Sequence, residues 1–264
     1  MKHRYLITGA SGFIGANIVQ RLLKENTEVH VLVRPQSNTS KLSAILTQIQ
    51  THTISVDDSQ TLEKVLLDIH PEYIFHLASY GNNSAQTDVA QMVQSNIQFS
   101  TNLLLAAQTI PYKAFVLTGS SSEYGFKTKA MSETDILEPA SFYAATKAGI
   151  THIAQVFRKL YNKPIVVVRP FSVYGPYEDA SRLVPTVIKK CLAQEDIMLT
   201  PGTEKRDFIY VDDFVEGFFR VANAPEKLPD GLVNIGSGYE YTTKEMVTTI
   251  HQLTQSNSKL LWGT

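Results

Sequence analysis

The 264-residue chain predicts an α/β fold: a doubly wound parallel Rossmann sheet followed by a smaller C-terminal substrate-binding lobe. Three observations predict it. Short apolar runs of β-branched character alternate with amphipathic stretches of helical period over the first two thirds of the chain. Those runs are nearly continuous in their apolar character, as strands buried on both faces must be. A glycine-rich turn, TGASGFIG at residues 8–15, separates the first strand from the first helix, the place where a doubly wound sheet builds its binding crevice.

Taken in order, residues 5–8 read as the first strand and 12–24 as its helix, with Ile14, Ile18, Val19, Leu22 and Leu23 on one face. Residues 29–33 give the second strand and 53–56 a short third one. A helix over 59–69 stops at Pro71, and 73–77 is the next strand. A long helix fills 85–109 before Pro111, with a strand at 114–117 beyond it. Residues 140–161 are helical, and the strand at 165–169 ends on Pro170. After Pro170 the pattern loosens, punctuated by Pro176, Pro185, Pro201 and Gly202. Helices are expected over 183–193, 211–222 and 243–253, the last capped by Thr242 or Thr243, with a strand at 232–235. The domains follow: 1–170 as the Rossmann domain, with elements of 207–235 packing back on it, and 171–264 as the smaller lobe.

Composition excludes several classes. Hydrophobic residues make up 43% and charged residues 19%, ordinary for a soluble globular protein. A net charge of −1 leaves no broad basic surface for nucleic acid or an anionic membrane. No apolar run reaches the length of a signal-peptide core or a membrane span, so a cytoplasmic location is expected. Cys191 is the sole cysteine, which excludes an intrachain disulfide and fits a reducing compartment. With Val187, Ile188 and Leu192 it forms an apolar helical pattern, so it reads as packing. No metal is expected.

Gly9, Gly12 and Gly15 permit a tight turn, let the backbone approach a pyrophosphate and allow close helix–strand packing, while the helix N-terminus favours the anion. The turn therefore reads as a dinucleotide site lined by Gly9, Ser11, Gly12, Phe13, Ile14 and Gly15. The end of the second strand chooses between nicotinamide cofactors: an acidic residue there would bond a ribose 2′-hydroxyl and repel a 2′-phosphate. The chain has Arg34 instead. A guanidinium suits a 2′-phosphate, and the alternative is a solvated surface arginine. NADPH is expected over NADH, with NAD possible.

Tyr143 and Lys147 stand four apart in SFYAATK, so on a helix both project from one face. A free phenol has a pKa of about 10, and a neighbouring ammonium favours the phenolate and brings that value down. A YxxxK by itself is common. Here it follows a dinucleotide turn and the serine-rich TGSSSEYG, directly after a strand, where Ser120, Ser121 and Ser122 can offer hydroxyls to a carbonyl oxygen. Hydride and proton together turn a carbonyl into an alcohol, so the joint reading is redox chemistry at a C–O centre.

These motifs, with FHLAS, QSNIQ around Asn96, RPFSVYGPYE and KRDFIYVDD, run in order along essentially the whole chain. The chain resembles the extended short-chain dehydrogenase/reductase family, whose members modify nucleotide-linked sugars. The resemblance implies Ser120, five residues before Gly125, as the active-site hydroxyl, Tyr143 as acid/base, and Lys147 as its partner and ribose ligand. It implies that the segment from His76 through Leu77, Ala78 and Ser79 lines the cofactor, that Pro170 to Val173 pass under the nicotinamide, and that Ser55 and Val56 stand at the adenine. His76 itself reads as a satisfied structural histidine.

Departures from the family pattern narrow the reading. Relatives that dehydrate sugars carry an Asp-Glu or similar pair directly after the active-site hydroxyl. Here those positions are Ser121 and Ser122, and Glu123 comes one place too late. An asparagine common in epimerases is replaced by Ser172. For the substrate diphosphate, the resemblance points to Arg206 of the RDF segment, and for the nucleotide base to backbone of the segment matching Leu183 to Pro185. Arg182 offers a further cation or a surface salt bridge. Tyr80 and Tyr174 line the sugar pocket or belong to the core. Relatives usually continue some tens of residues past the position of Trp262, whereas this sequence stops at Thr264, so a usual C-terminal extension is expected to be lacking.

HLASYGNNSAQTD and TGSSSEYG look like the branch containing nucleotide-linked deoxysugar reductases, such as those making CDP-3,6-dideoxyhexoses. The expected function is NADPH-dependent reduction of a nucleotide-linked 4-keto-6-deoxyhexose with Tyr143 as proton donor. The alternatives are an NAD-dependent C4 epimerase, a sugar-nucleotide decarboxylase, and a non-catalytic dinucleotide-binding or scaffold protein. The family commonly dimerises through helices matching 85–109 and 140–161, so a homodimer is expected.

Overall fold

Strand β1 (His3–Thr8) buries its last four residues at once, in a computed structural model that describes residues 2–83 and 85–263. Ser84, in the HLASYGNNSAQTD run, and Thr264 lie outside the described residues. The glycine turn leads into α1 (Phe13–Leu23), which buries Ile18, Val19 and Leu22. β2 (Thr27–Val33), a run of 3₁₀ turns and β3 (Gln50–Thr53) follow. Helix α2 (Ser59–Ile69) starts where the Asp58 carboxylate accepts the Thr61 N–H, and β4 (Tyr73–His76) comes next. Helices α3 (Val89–Val93) and α4 (Phe99–Ala106) are joined by one π-helical turn, Gln94–Gln98. β5 (Ala114–Thr118) opens into the 3₁₀ turn Ser121–Tyr124. Helix α5 (Phe142–Tyr161), capped by the Ser141 hydroxyl, returns to β6 (Ile165–Pro170). The remaining elements are β7 (Ser172–Tyr174), α6 (Leu183–Leu192), β8 (Ile197–Leu199), β9 (Lys205–Arg206), β10 (Phe208–Tyr210), α7 (Val211–Asn223), β11 (Leu232–Ile235), β12 (Tyr241–Thr242), α8 (Thr243–Leu253) and β13 (Leu260–Trp262).

The chain divides into two compact units, Met1–Pro170 with Val215–Ile235, and Phe171–Phe214 with Gly236–Thr264. The first holds a seven-stranded sheet in the order β11-β6-β5-β4-β1-β2-β3, parallel at every pairing. From β1 the chain winds outward to β2 and β3, then crosses back to lay β4 on the other side of β1. That reversal leaves a crevice at the C-terminal ends of β1 and β4, where a doubly wound sheet binds its ligand. One face of the sheet packs Leu6, Leu32, Ile74 and Phe115 against Leu62, Leu103 and Phe157 from the helices. Tyr5 stacks on Tyr73 at 4.7 Å between ring centroids, and Phe75 meets Phe218 edge-on at 5.0 Å.

The second unit has only two-stranded pieces: β10 parallel with β7, β12 antiparallel with β9, and β13 parallel with β8. Its core joins Val184, Val187 and Cys191 of α6 to Val247 and Ile250 of α8. Cys191 is wholly buried there, a packing residue. Thr242 caps α8 through a capping box with Glu245.

Two elements depart from the sequence expectation. The third strand forms at Gln50–Thr53 rather than 53–56, so Ser55 and Val56 fall in the loop beyond it. As an edge strand it pairs on one side only and carries polar residues, so apolar patterning cannot mark it. The helix expected over 85–109 starts at Val89, because the Asp88 carboxylate accepts the Gln91 N–H and fixes the cap, and it is interrupted by the π turn. No described helix is long and apolar enough to cross a membrane.

Candidate active site

The turn after β1 is shaped by contacts that a side chain would destroy. Gly9 has φ +71°, and a Cβ on it would lie 2.5 Å from the Ala78 amide nitrogen. The turn and the loop after β4, with Leu77 and Ala78, are thus in direct backbone contact. A Cβ on Gly15 would lie 2.2 Å from the Gly9 carbonyl oxygen, so α1 packs on the turn with no room for any other residue. Gly12 is the N-cap of α1, no side chain caps it, and no acidic residue stands in the first turn. The N-terminal amides of the helix and its dipole therefore face an anion without a competing carboxylate. These residues fit the diphosphate of a dinucleotide. Ser11, Phe13 and Ile14 flank the turn, partly exposed. Arg34 follows the last residue of β2, exposed, its N–H donating to the Ser37 hydroxyl at 2.9 Å. Ser55 and Val56 lie just beyond the adjacent β3, at the same sheet edge.

His76 closes β4 with both ring nitrogens bonded, Nδ1 to the Thr8 hydroxyl and Nε2 to the Ser100 hydroxyl, each at 2.6 Å. Burial strips its water and the nearby Lys147 charge opposes a second one, which together lower its pKa to about 3. It is a structural histidine, kept neutral by burial and by the Lys147 charge. Just beyond it, Asn96 in the π turn accepts the Tyr80 N–H and donates to the Tyr80 carbonyl, both at 2.8 Å, and also donates to the Thr146 hydroxyl at 2.9 Å. The Thr146 hydroxyl bonds the Tyr143 carbonyl at 2.8 Å. One buried amide therefore ties the loop holding Ser79 and Tyr80 to the first turn of α5.

Tyr143 and Lys147 lie on that first turn and the next. Tyr143 is partly exposed, whereas Lys147 is 4% exposed and its Nζ donates to the Thr118 carbonyl at the end of β5. Desolvation brings the Lys147 pKa down to about 8, against the pull of the Glu123 carboxylate, so the amine is mostly ammonium at neutral pH. Ser120 caps the 3₁₀ turn: its Oγ accepts the Ser122 N–H at 3.2 Å and shares a bond with the Ser122 Oγ at 2.7 Å. Ser121 is partly exposed, and α5 packs against this turn. Glu123 is wholly buried and ion-paired to Arg169 at 2.8 Å. Sequence reasoning saw Glu123 only as a misplaced acid; its partner, 46 residues away, carried no local signal.

Within the first unit the structure brings the glycine turn, Leu77–Ser79, Ser120, Tyr143 and Lys147 to the C-terminal edge of the sheet, with Pro170 closing β6. In the second unit, Ser172 and Val173 lie on β7, the Ser172 N–H bonded to the Asp207 carbonyl at 2.9 Å. Tyr174 meets Tyr210 at 5.6 Å between centroids. Arg182 is the exposed N-cap of α6, and Leu183 its first residue. Arg206 is exposed on β9, opposite Tyr241 of β12. The neighbouring Asp207, which sequence reasoning passed over, accepts the N–H groups of Ser237 and Gly238 at 2.7 and 2.9 Å and so anchors the RDF segment to the loop after β11.

A doubly wound parallel sheet with a glycine turn at its ligand edge defines a dinucleotide-binding class of fold. Residues 5–236 match the model of the NAD dependent epimerase/dehydratase family, and the chain belongs to that family. It is 31% identical over 277 residues to a UDP-N-acetyl-alpha-D-glucosaminuronate decarboxylase of Bacillus cytotoxicus, spanning 99% of this chain and 83% of that one. It is 26% identical over 267 residues to the CDP-abequose synthase of Salmonella muenchen, with 98% and 84% covered. Among solved structures, the UDP-glucuronic acid 4-epimerase of Bacillus cereus, in complex with UDP-glucuronic acid and NAD, superposes with a TM-score of 0.84 at 28% identity, covering 98% of this chain and 85% of that one. The protein is an enzyme of this nucleotide-sugar class.

Proposed function

We propose that the protein is an NADPH-dependent reductase of a nucleotide-linked 4-keto-6-deoxyhexose. The observation that carries this reading is the buried Lys147 ammonium one helical turn from Tyr143, at the edge where the glycine turn opens. When bound, the nicotinamide supplies a hydride equivalent to the keto carbon. Tyr143 gives its phenolic proton to the keto oxygen, which becomes the alcohol, and the resulting phenolate is stabilised by Lys147 until solvent returns a proton. The Ser120 hydroxyl holds the keto oxygen in line. Arg34 pairs with the 2′-phosphate of the cofactor, and Arg182 and Arg206 with the diphosphate of the substrate. Similarity to the CDP-abequose synthase supports a keto-deoxysugar.

Similarity to the 4-epimerase solved with NAD supports a second reading, in which the cofactor stays bound and is regenerated within each turnover. The two are separated by purifying the protein, identifying any nucleotide it retains, and following absorbance of NADPH and NADH with CDP-, dTDP- and UDP-linked sugars. The reductase consumes NADPH stoichiometrically with a keto sugar and uses NADH less well. Retained NAD with no net consumption of either reduced cofactor rejects it in favour of the epimerase, and equal use of NADH rejects the NADPH preference alone.

The exposed apolar side chains Val89 and Val93 of α3, Leu105 of α4, and Val156 and Leu160 of α5 support a homodimer joined through these helices. Sedimentation should give twice the monomer mass, and Leu160→Glu should return the monomer. A wild-type monomer at micromolar concentration would end this reading.

A further inference from the structure

The serine turn is held from below by an ion pair for which the proposed reaction has no chemical use. Glu123 and Arg169 have side chains 0% and 1% exposed and meet through Nε and Oε2 at 2.8 Å. Taking two such ions out of water costs on the order of several kcal/mol each, which their attraction repays only when further hydrogen bonds surround them. Glu123 Oε1 accepts the Ser120 N–H at 2.8 Å, and Oε2 also accepts the Thr151 hydroxyl at 3.0 Å. Arg169 Nη1 donates to the Tyr124 hydroxyl at 2.8 Å, and its guanidinium lies 4.8 Å from that ring's centroid. The Tyr124 hydroxyl donates to Asn234 on β11 at 2.8 Å.

The bonding pattern is specific about what it fixes. One carboxylate holds the backbone of Ser120 with one oxygen, and with the other the hydroxyl of Thr151, one helical turn beyond Lys147 on α5. A Cβ on Gly119 would lie 2.6 Å from Glu123 Oε1, so the carboxylate passes close beneath the strand end. The elements packed against α5 are β6, α3, α4, the π turn and the 3₁₀ turn. Of these, β6 contributes Arg169 and the 3₁₀ turn Glu123, and α3, α4 and the π turn carry no charged residue. From β4 comes His76, and from α5 itself Tyr143. Glu123 is therefore the anion that acts on the Lys147 ammonium, while His76 stays neutral.

We propose that Glu123, secured by Arg169, is a positioning residue of this active site: it sets the Ser120 hydroxyl and the α5 turn in place and supplies the negative charge that keeps Lys147 an ammonium. The inference rests on the reading of Ser120, Tyr143 and Lys147 as the catalytic set. It predicts that charge, and not only shape, matters at position 123.

The test is NMR of protein carrying a carbon isotope label at lysine Cε, titrated without cofactor, with the Lys147 signal assigned by its loss in Lys147→Met. In Glu123→Gln the Lys147 midpoint should fall by about one pH unit or more. Where that variant does not fold, Glu123→Gln/Arg169→Met, which removes the guanidinium together with its carboxylate, should show a smaller fall in the same direction. In kinetics, Glu123→Gln should lose at least about 10-fold in kcat, with KM for NADPH unchanged and the alkaline limb of the pH–rate profile displaced to lower pH with the NMR midpoint. A Lys147 midpoint identical to wild type in either folded variant overturns the inference. Should the wild-type enzyme reduce no keto sugar, the catalytic reading fails while the titration still decides the role of Glu123.

Discussion

At Tyr143 the phenol and its neighbour divide the work. In the proposed reaction the oxygen carries the proton, and the Lys147 ammonium, anchored on the Thr118 carbonyl, carries the charge that makes the proton available. Deleting the hydroxyl removes the donor without touching the glycine turn. Tyr143→Phe should therefore lose roughly 10²-fold or more in kcat while the Kd for the cofactor, measured by calorimetry, stays within about twofold of wild type. Near-normal turnover in that variant would remove Tyr143 from the chemistry. Lys147 has a second, opposite demand on it: burial pushes its pKa down to about 8 while Glu123 pulls it up. A lysine left in the same pocket without an anion would be neutral over more of the physiological range and of less use to the phenol.

Among the elements, the turn between β1 and α1 makes the strongest claim on sequence. Replacing glycine by alanine inside a helix ordinarily gains about 1 kcal/mol in propensity. At Gly15 that gain is outweighed, because the new Cβ would stand 2.2 Å from the Gly9 carbonyl oxygen and 2.8 Å from the Ala10 Cα. Both are backbone atoms that a rotamer change cannot move. Gly15→Ala should be destabilised by about 1–3 kcal/mol, the range for overpacking, and should bind dinucleotide at least about tenfold more weakly as α1 is pushed off the turn. Denaturant melts and cofactor titrations measure both, and a more stable Gly15→Ala with unchanged affinity would contradict the geometry. This turn was legible because its logic is local: eight consecutive residues hold the glycines, the strand end and the helix start. The YxxxK pair was legible for the same reason, both residues lying one turn apart on one helix. What was not legible depends on residues far apart in the chain. The π turn that aims Asn96 at Tyr80 and Thr146 has no periodic signature, and Glu123 meets Arg169 only because β5 and β6 are neighbours in the sheet. β3 was misplaced because an edge strand of polar residues looks like loop until its pairing with β2 is seen.

For the whole molecule, the buried titratable groups bound the pH range of stability from both sides. His76 would bind a proton near pH 6.5 in the unfolded chain and refuses it down to about 3 in the folded one. Between those values the unfolded state holds more protons, so stability falls as the pH is lowered through that window and is fully present above it. The ceiling of this one contribution is on the order of several kcal/mol. Lys147 has the same sign in a different window: its pKa drops from 10.5 to about 8 on folding, so its cost is relieved as the pH rises between them. Tyr5 and Tyr112 act against this, because burial raises their phenol pKa above the ordinary 10.0. In the unfolded chain they ionise near pH 10 while the folded chain resists, so stability is lost above that point. Unfolding free energy from urea titrations should climb from pH 4 to about 6.5, remain high into the mildly alkaline range, and decline beyond about pH 10. In His76→Gln, which keeps an amide between Thr8 and Ser100 but cannot be protonated, the acid limb should flatten even though the variant is weaker at neutral pH. An acid limb of unchanged slope in that variant would show that the proton is taken up elsewhere.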